Sequence, residues 1–287
     1  MNPTITIVDV FAEEKYAGNQ LAVVRGAAGL PDETLQKIAR EMNYSETSFI
    51  LSEEERDGGY DVRIFTPGGE VPFAGHPTLG TAHVIRVEIL TTPTERVVLN
   101  LKAGKIPVTF GDVLWMRQLP PTFGPALDSM RLVRVLGLGD EDLDDRHPVR
   151  EVSTGLPAIM VPLRSLDALG RCRVDWDLYH ETAAAGKNLY AFCPEPHADG
   201  PGDVSARMFT DDPGIPEDPA TGSAAGCLAG YLVEHRYFGT DSVEVRVEQG
   251  YEIGRPSLLY LRAEREGDKI NVSIGGKVQM VARGELV

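Results

Sequence analysis

Residues 75–85 read Gly-His-Pro-Thr-Leu-Gly-Thr-Ala-His-Val-Ile, and residues 222–233 read Gly-Ser-Ala-Ala-Gly-Cys-Leu-Ala-Gly-Tyr-Leu-Val. Each opens on a glycine-rich turn and continues as a helix that is small or apolar nearly all round. A helix without a polar face must be surrounded by protein. Its Gly and Ala positions let other backbone come close, despite a helix penalty of about 1 kcal/mol for each glycine. An ordinary core helix is one reading. A central helix wrapped by a curled sheet, once in each half of the chain, is the sharper one.

The flanking sequence repeats as well. Arg63-Ile64-Phe65-Thr66 precedes the first helix and Arg207-Met208-Phe209-Thr210 the second, at slightly different spacing. Further upstream, Gly18 followed by Leu21-Ala22-Val23-Val24 is echoed by Gly155 followed by Ala158-Ile159-Met160-Val161. The common order of these matches points to a duplicated two-domain α+β fold. The boundary is expected near Pro120-Pro121, giving domains of 1–118 and 119–275. The strand-like end of the chain, Lys269 to Val287 with a turn at Gly275-Gly276, is a candidate to return to the first domain from about residue 276. Around these landmarks, Thr4–Phe11, Leu21–Val24, Thr47–Leu51 and Tyr60–Phe65 read as strands. A helix opens at Pro31-Asp32-Glu33, with Leu35, Ile38, Ala39 and Met42 on one face.

The 287 residues suit two modest domains or one large one. A formal net charge of -15 disfavours nucleic acid and anionic membrane as partners. No apolar run approaches the roughly 20 residues of a membrane span, and the N-terminus has no signal-type pattern. Cys172, Cys193 and Cys227 are widely spaced, so neither a zinc site nor a disulfide framework is expected. The chain reads as reduced and cytoplasmic. It has no dinucleotide fingerprint, phosphate loop or serine-hydrolase elbow, so a redox cofactor has no visible seat.

Three places could carry chemistry. Glu46, in Tyr44-Ser45-Glu46-Thr47-Ser48, enters an apolar strand, and partial desolvation would move its carboxyl toward neutrality, as a proton shuttle needs. A surface or helix-end glutamate is the other reading. His76, with Pro77 placed at the first helical position, sits at the mouth of the first buried helix. There its neutral ring could accept a proton or its charged form hold a carboxylate; a capping or packed histidine is the alternative. Asp218-Pro219-Ala220-Thr221-Gly222-Ser223 leads into the second buried helix, whose free N–H groups suit an anion. Asp218 could orient His76 or join in proton transfer, and Thr221 or Ser223 could simply cap the helix.

Together these motifs resemble one family. Asp9-Val10-Phe11, Gly18-Asn19 and Ser45-Glu46-Thr47 are similar to the opening of the PhzF-like family of phenazine biosynthesis. Ala74-Gly75-His76-Pro77-Thr78 and Asp218-Pro219-Ala220-Thr221-Gly222-Ser223-Ala224 resemble its two signatures. Gln249-Gly250, Gly254-Arg255-Pro256-Ser257 and Gly275-Gly276 resemble its C-terminal part. The resemblance covers nearly the whole chain. It implies the diaminopimelate-epimerase-like fold, two pseudo-symmetric domains each with a sheet or barrel wrapped around a central helix. It also implies a site between the domains, a homodimer, a small carboxylate-bearing substrate, and no metal or organic cofactor. By resemblance the acid–base glutamate is Glu46, and His76, Asp218 and Ser223 are the other polar site residues. The amides near Gly75, Gly222 and Ser223 would anchor the substrate carboxylate.

Two departures stand out. Related epimerases use paired cysteines in the glycine-rich loops, and Ala74 and Pro219 are read at those places here, which argues against a two-thiol racemase. Gln20 replaces a proline common after Gly-Asn in the family. The expected reaction is an isomerisation by proton shift. An epimerase or proton-shifting lyase on an amino-acid-like substrate, and a binding protein without turnover, are the alternatives.

Overall fold

A computed structural model describes residues 2–198, 200–211 and 215–287. The chain divides into two compact units, Met1–Arg117 with Gly275–Val287, and Gln118–Ile274. In the first unit lie β1 (Thr4–Val10), β2 (Asn19–Arg25), α1 (Asp32–Met42), β3 (Glu46–Ile50), β4 (Tyr60–Phe65), β5 (Glu70–Val71), α2 (Gly75–Val84), β6 (Arg96–Leu101), β7 (Gly104–Phe110) and β8 (Leu114–Arg117). The next elements are β9 (Thr122–Ala126), α3 (Ser129–Val135), β10 (Arg150–Ser153), β11 (Pro157–Pro162), α4 (Leu166–Arg171), α5 (Trp176–His180), β12 (Asn188–Cys193), β13 (Val204–Phe209) and β14 (Glu217–Asp218). They are followed by α6 (Gly222–Glu234), β15 (Ser242–Gln249), β16 (Ser257–Glu266), β17 (Lys269–Gly276) and β18 (Val278–Glu285).

The first unit is one sheet in the order β18-β1-β2-β3-β4-β6-β7-β8. Its pairings are antiparallel except β2 with β3 and β4 with β6, which are parallel. The second unit follows the same plan from β9 to β16. There β11 with β12 and β13 with β15 are the parallel pairs. Each unit threads its buried helix through a parallel crossover, α2 between β4 and β6, and α6 between β13 and β15. The fold is α+β and diaminopimelate-epimerase-like, with the same topology used twice.

The register turns the repeat into residue pairs. Thr47 faces Phe65 and Leu189 faces Phe209. Glu70 faces Phe65, and Glu217 faces Phe209. Leu21–Val24 therefore matches Ala158–Val161, and Gly18 matches Gly155, both at positive φ (69 and 134). The difference in spacing falls between Thr210 and Glu217. From each glutamate to its helix the count is the same.

The repeated Arg-x-Phe-Thr string is a structural device. Arg63 grips Glu70 with two hydrogen bonds of 2.8 and 3.0 Å, and Arg207 grips Glu217 at 2.9 and 2.7 Å. Each guanidinium also lies over the phenylalanine two residues on, at 5.0 and 4.8 Å from the ring centre. The pair fixes the two-residue strand β5 or β14, from which the chain turns into α2 or α6.

Helix α2 is buried along its length apart from His83, and packs against β1, β2, β3, β6, β7, β8 and β18. At Gly80 a Cβ would stand 2.6 Å from the Leu21 side chain and 2.9 Å from that of Val10, so only glycine allows this approach. Helix α6 is buried except at Ser223 and Glu234 and packs against β10, β11, β15 and β16. The whole-round apolar pattern thus reports the environment of these two helices directly.

Three local readings need correction. Pro77 is the third residue of α2, because the helix starts at Gly75 with Ala74 as its N-cap; a missing N–H in the first turn is harmless in any case. Gly275-Gly276 is no turn, for β17 runs through both. A Cβ on Gly275 would come within 2.8 Å of the Leu114 carbonyl and the Trp115 ring, so the glycines answer to close packing. By register the partner of Ala74 is Thr221, the N-cap of α6, rather than Pro219.

Candidate active site

In the first unit the chain brings Glu46 and His76 together. Helix α1 ends at Asn43, whose left-handed conformation (φ 53) reverses the chain into β3. Glu46 is the first residue of β3 and lies beside Leu21 of β2. His76 is the second residue of α2. Its Nδ1 lies 3.5 Å from Glu46 Oε2, with side-chain exposures of 5% and 18%. The carboxylate is thus largely out of water, as a proton shuttle requires.

His76 is neutral. Burial pushes its pKa down to about 3, against a smaller upward pull from its hydrogen bond to the Gln20 backbone. The 3.5 Å approach to Glu46 is therefore that of a neutral ring to a carboxylate. The low dielectric around it disfavours the charged histidine that could have held a substrate carboxylate.

In the second unit Asp218 lies on β14, with Gly222 and Ser223 as the first two residues of α6. Neither α2 nor α6 has a side-chain cap. The amides of Gly75, His76, Gly222 and Ser223 precede the first intrahelical acceptor, so they can serve an anion. Thr221 stands at the N-cap position of α6 without a side-chain capping bond; its hydroxyl donates instead to Asp218 Oδ2, 2.5 Å away.

The register also pairs the site residues across the repeat. His76 matches Ser223. Glu46 matches Asn188 at the start of β12, and Asp218 matches Val71 of β5. The scaffold and its arginine–glutamate pairs are duplicated, and the candidate site groups are not. The equivalent N-cap positions, Ala74 and Thr221, carry no thiol. The three cysteines are buried elsewhere, and burial raises Cys227 to about 11 and both Cys172 and Cys193 to about 12.

The family model for phenazine biosynthesis-like proteins (PhzC-PhzF) matches residues 8–284. This chain belongs to that family. It is 35% identical to the trans-2,3-dihydro-3-hydroxyanthranilate isomerase of Pseudomonas aeruginosa, over 97% of each chain. The crystal structure of a PhzF-family protein from Bacillus anthracis superposes with a TM-score of 0.90 at 27% identity, covering all of both chains. A probable proline racemase from Agrobacterium radiobacter shares the fold alone, with a TM-score of 0.61 at 11% identity over 99% of this chain and 93% of that one. The chain is an isomerase of the PhzF-like family. No helix among its described residues is long and apolar enough to cross a membrane.

Proposed function

We propose that this PhzF-like protein is a cofactor-independent isomerase that shifts a proton on a small, conjugated, carboxylate-bearing metabolite, with Glu46 as its single acid–base group. The observation that carries this reading is the asymmetry of the repeat. A secluded carboxylate beside a neutral imidazole occurs at Glu46 and His76, while Asn188 and Ser223 fill the matching places. One carboxylate suits a shuttle that removes a proton and returns it elsewhere on the same molecule.

In this mechanism the Glu46 carboxylate takes a proton from a carbon next to the conjugated system. The electron pair moves along the conjugation. The Glu46 carboxylic acid then delivers the proton to the distant carbon, so atoms and charge balance and product is an isomer of substrate. His76 stays neutral throughout and stabilises developing charge by hydrogen bonding. The amides of Gly222 and Ser223, with the Ser223 hydroxyl, hold the substrate carboxylate. Asp218 orients the polar groups of the substrate. The name of the Pseudomonas aeruginosa relative makes trans-2,3-dihydro-3-hydroxyanthranilate the first acid to test.

The test is turnover of that acid in deuterated water, followed by NMR, for the unaltered chain and for Glu46→Gln and Ser223→Ala. Removal of one positioned proton-transfer group costs about 10²–10⁴ in rate. Glu46→Gln should lose kcat on that scale and still bind the acid. Ser223→Ala should weaken binding. Full turnover by Glu46→Gln would overturn the assignment. Exchange confined to the carbon bearing the carboxylate would mean epimerisation.

A further inference from the structure

The second unit contains a buried polar network whose matching positions among the described residues of the first unit do not repeat it. Gln249, the last residue of β15, is 1% exposed. Its side-chain amide makes four hydrogen bonds, three with the segment Asp218–Thr221 and one with Tyr190 of β12. Oε1 accepts from the Thr221 N–H at 3.2 Å and from the Tyr190 hydroxyl at 3.1 Å. Nε2 donates to the Asp218 carbonyl at 2.7 Å and to Thr221 Oγ1 at 3.1 Å. Thr221 Oγ1 in turn donates to Asp218 Oδ2 at 2.5 Å.

Every direction in this network is forced. A backbone N–H only donates and a backbone carbonyl only accepts, so the two main-chain partners fix which end of the Gln249 amide is oxygen and which nitrogen. The nitrogen only donates, so Thr221 Oγ1 accepts from it and turns its one hydrogen to the Asp218 carboxylate. The Tyr190 phenol stays protonated as a donor, because burial, with a smaller contribution from the Asp218 charge, holds its pKa far above the ordinary value.

The fold itself does not need this arrangement. In the first unit the register puts Ser48, Val71, Ala74 and Leu101 where Tyr190, Asp218, Thr221 and Gln249 stand. The same strands and the same helix entry are built there with apolar residues at three of the four places. A network confined to one copy of a duplicated scaffold, and ending on a carboxylate, serves that carboxylate.

We infer that Gln249 and Thr221 are positioning residues that orient the Asp218 carboxylate: Gln249 fixes the Thr221 hydroxyl, and Thr221 fixes Asp218. This inference rests on the reading of Asp218 as a substrate-orienting group. Thr221 and Gln249 act through Asp218 and are not themselves catalytic.

The experiment uses the full chain without ligand and follows the Asp218 carboxyl carbon by NMR through a pH titration. Thr221→Val keeps the branched shape and removes the donor, so Asp218 should titrate at higher pH than in the unaltered chain. Thr221→Ser should restore the titration. Gln249→Leu should shift it in the same direction, and should add nothing when combined with Thr221→Val. Should Gln249→Leu fail to fold, Thr221→Val with its serine rescue still decides. An unchanged titration in Thr221→Val, or no rescue by serine, overturns the inference. With trans-2,3-dihydro-3-hydroxyanthranilate, Thr221→Val should lower kcat about tenfold with little change in KM, and should have no further effect on Asp218→Asn. If the role of Asp218 itself is wrong, the result looks different: Asp218→Asn keeps full turnover while the titrations still move as stated.

Discussion

The neutrality of His76 predicts a specific acid lability. Its pKa is 6.5 when exposed and about 3 in the folded chain, because burial disfavours the charged ring. Below pH 6.5 the unfolded chain therefore binds a proton that the folded chain refuses. The associated stability is fully present above that value and is lost as the pH falls toward 3. Between pH 7 and pH 5 the loss from this one group is about 2 kcal/mol, at 1.36 kcal/mol per pKa unit. His76→Asn removes it. The assay is urea denaturation of both chains at each pH. Whatever the substitution costs at pH 7, the gap between the two chains should close by about 2 kcal/mol at pH 5. Carboxylates and the other depressed histidines, His83, His147 and His235, are present in both chains and cancel in the comparison. Parallel pH dependences would mean that folded His76 accepts the proton, and His76 with Glu46 would then be an ion pair.

The two matching arginine pairs should differ in weight. Arg207 and Glu217 are 5% and 11% exposed, whereas Arg63 and Glu70 are 24% and 21% exposed. Arg207→Ala should cost about 3–5 kcal/mol in urea denaturation and Arg63→Ala about 1 kcal/mol; equal losses would count against burial as the cause. Gly80→Ala should destabilise the first unit by about 1–3 kcal/mol, since the added methyl would overlap Leu21 and Val10. All three thiols should resist iodoacetamide at neutral pH in the folded chain and react once it is unfolded. Rapid loss of turnover on alkylation would contradict a carboxylate-based reaction.

The parts of the fold that could be read in the sequence are those where one residue pattern has one physical cause. Two helices without a polar face imply two wrapped helices. The recurrence of Gly18 and Gly155, and of Arg63-x-Phe65-Thr66 and Arg207-x-Phe209-Thr210, implies one plan used twice. Sequence does not reveal what lies opposite a residue in space. Gly275-Gly276 resembles a turn by composition, and only the nearness of Leu114 and Trp115 explains its place in a strand. Thr221 has the residue type of a cap, yet its hydroxyl is taken by Asp218. At the site, Glu46 and His76 could be chosen by type and setting, but the neutral state of His76 depends on burial that no spacing encodes. Gln249 went unnoticed as a site residue because it lies far along the chain. Strand β15 reads Ser-Val-Glu-Val-Arg-Val-Glu-Gln, so nothing in its alternation marks this polar position as buried, and the one signal available was the place of Gln249-Gly250 in the family resemblance.

A duplicated scaffold also limits what kind of chemistry is economical. Inverting a stereocentre with two opposed bases is a natural use of two like halves, each offering the same group from the same place. Here the equivalent places carry unlike groups: Glu46 against Asn188, Asp218 against Val71, and His76 against Ser223. One half keeps a secluded carboxylate and a neutral ring. The other keeps helix amides, a hydroxyl and a carboxylate tied down by Thr221 and Gln249. On the mechanism proposed above, this division gives proton movement to one half and substrate orientation to the other. If so, moving the carboxylate to the other half, with Glu46→Asn and Asn188→Glu in one chain, should not restore turnover. Asn188 is part-buried at the matching register, but no neutral histidine lies at the start of α6 to accompany it. Recovery of activity by that double exchange would show that the halves are interchangeable and that the division of labour argued from their differences is wrong.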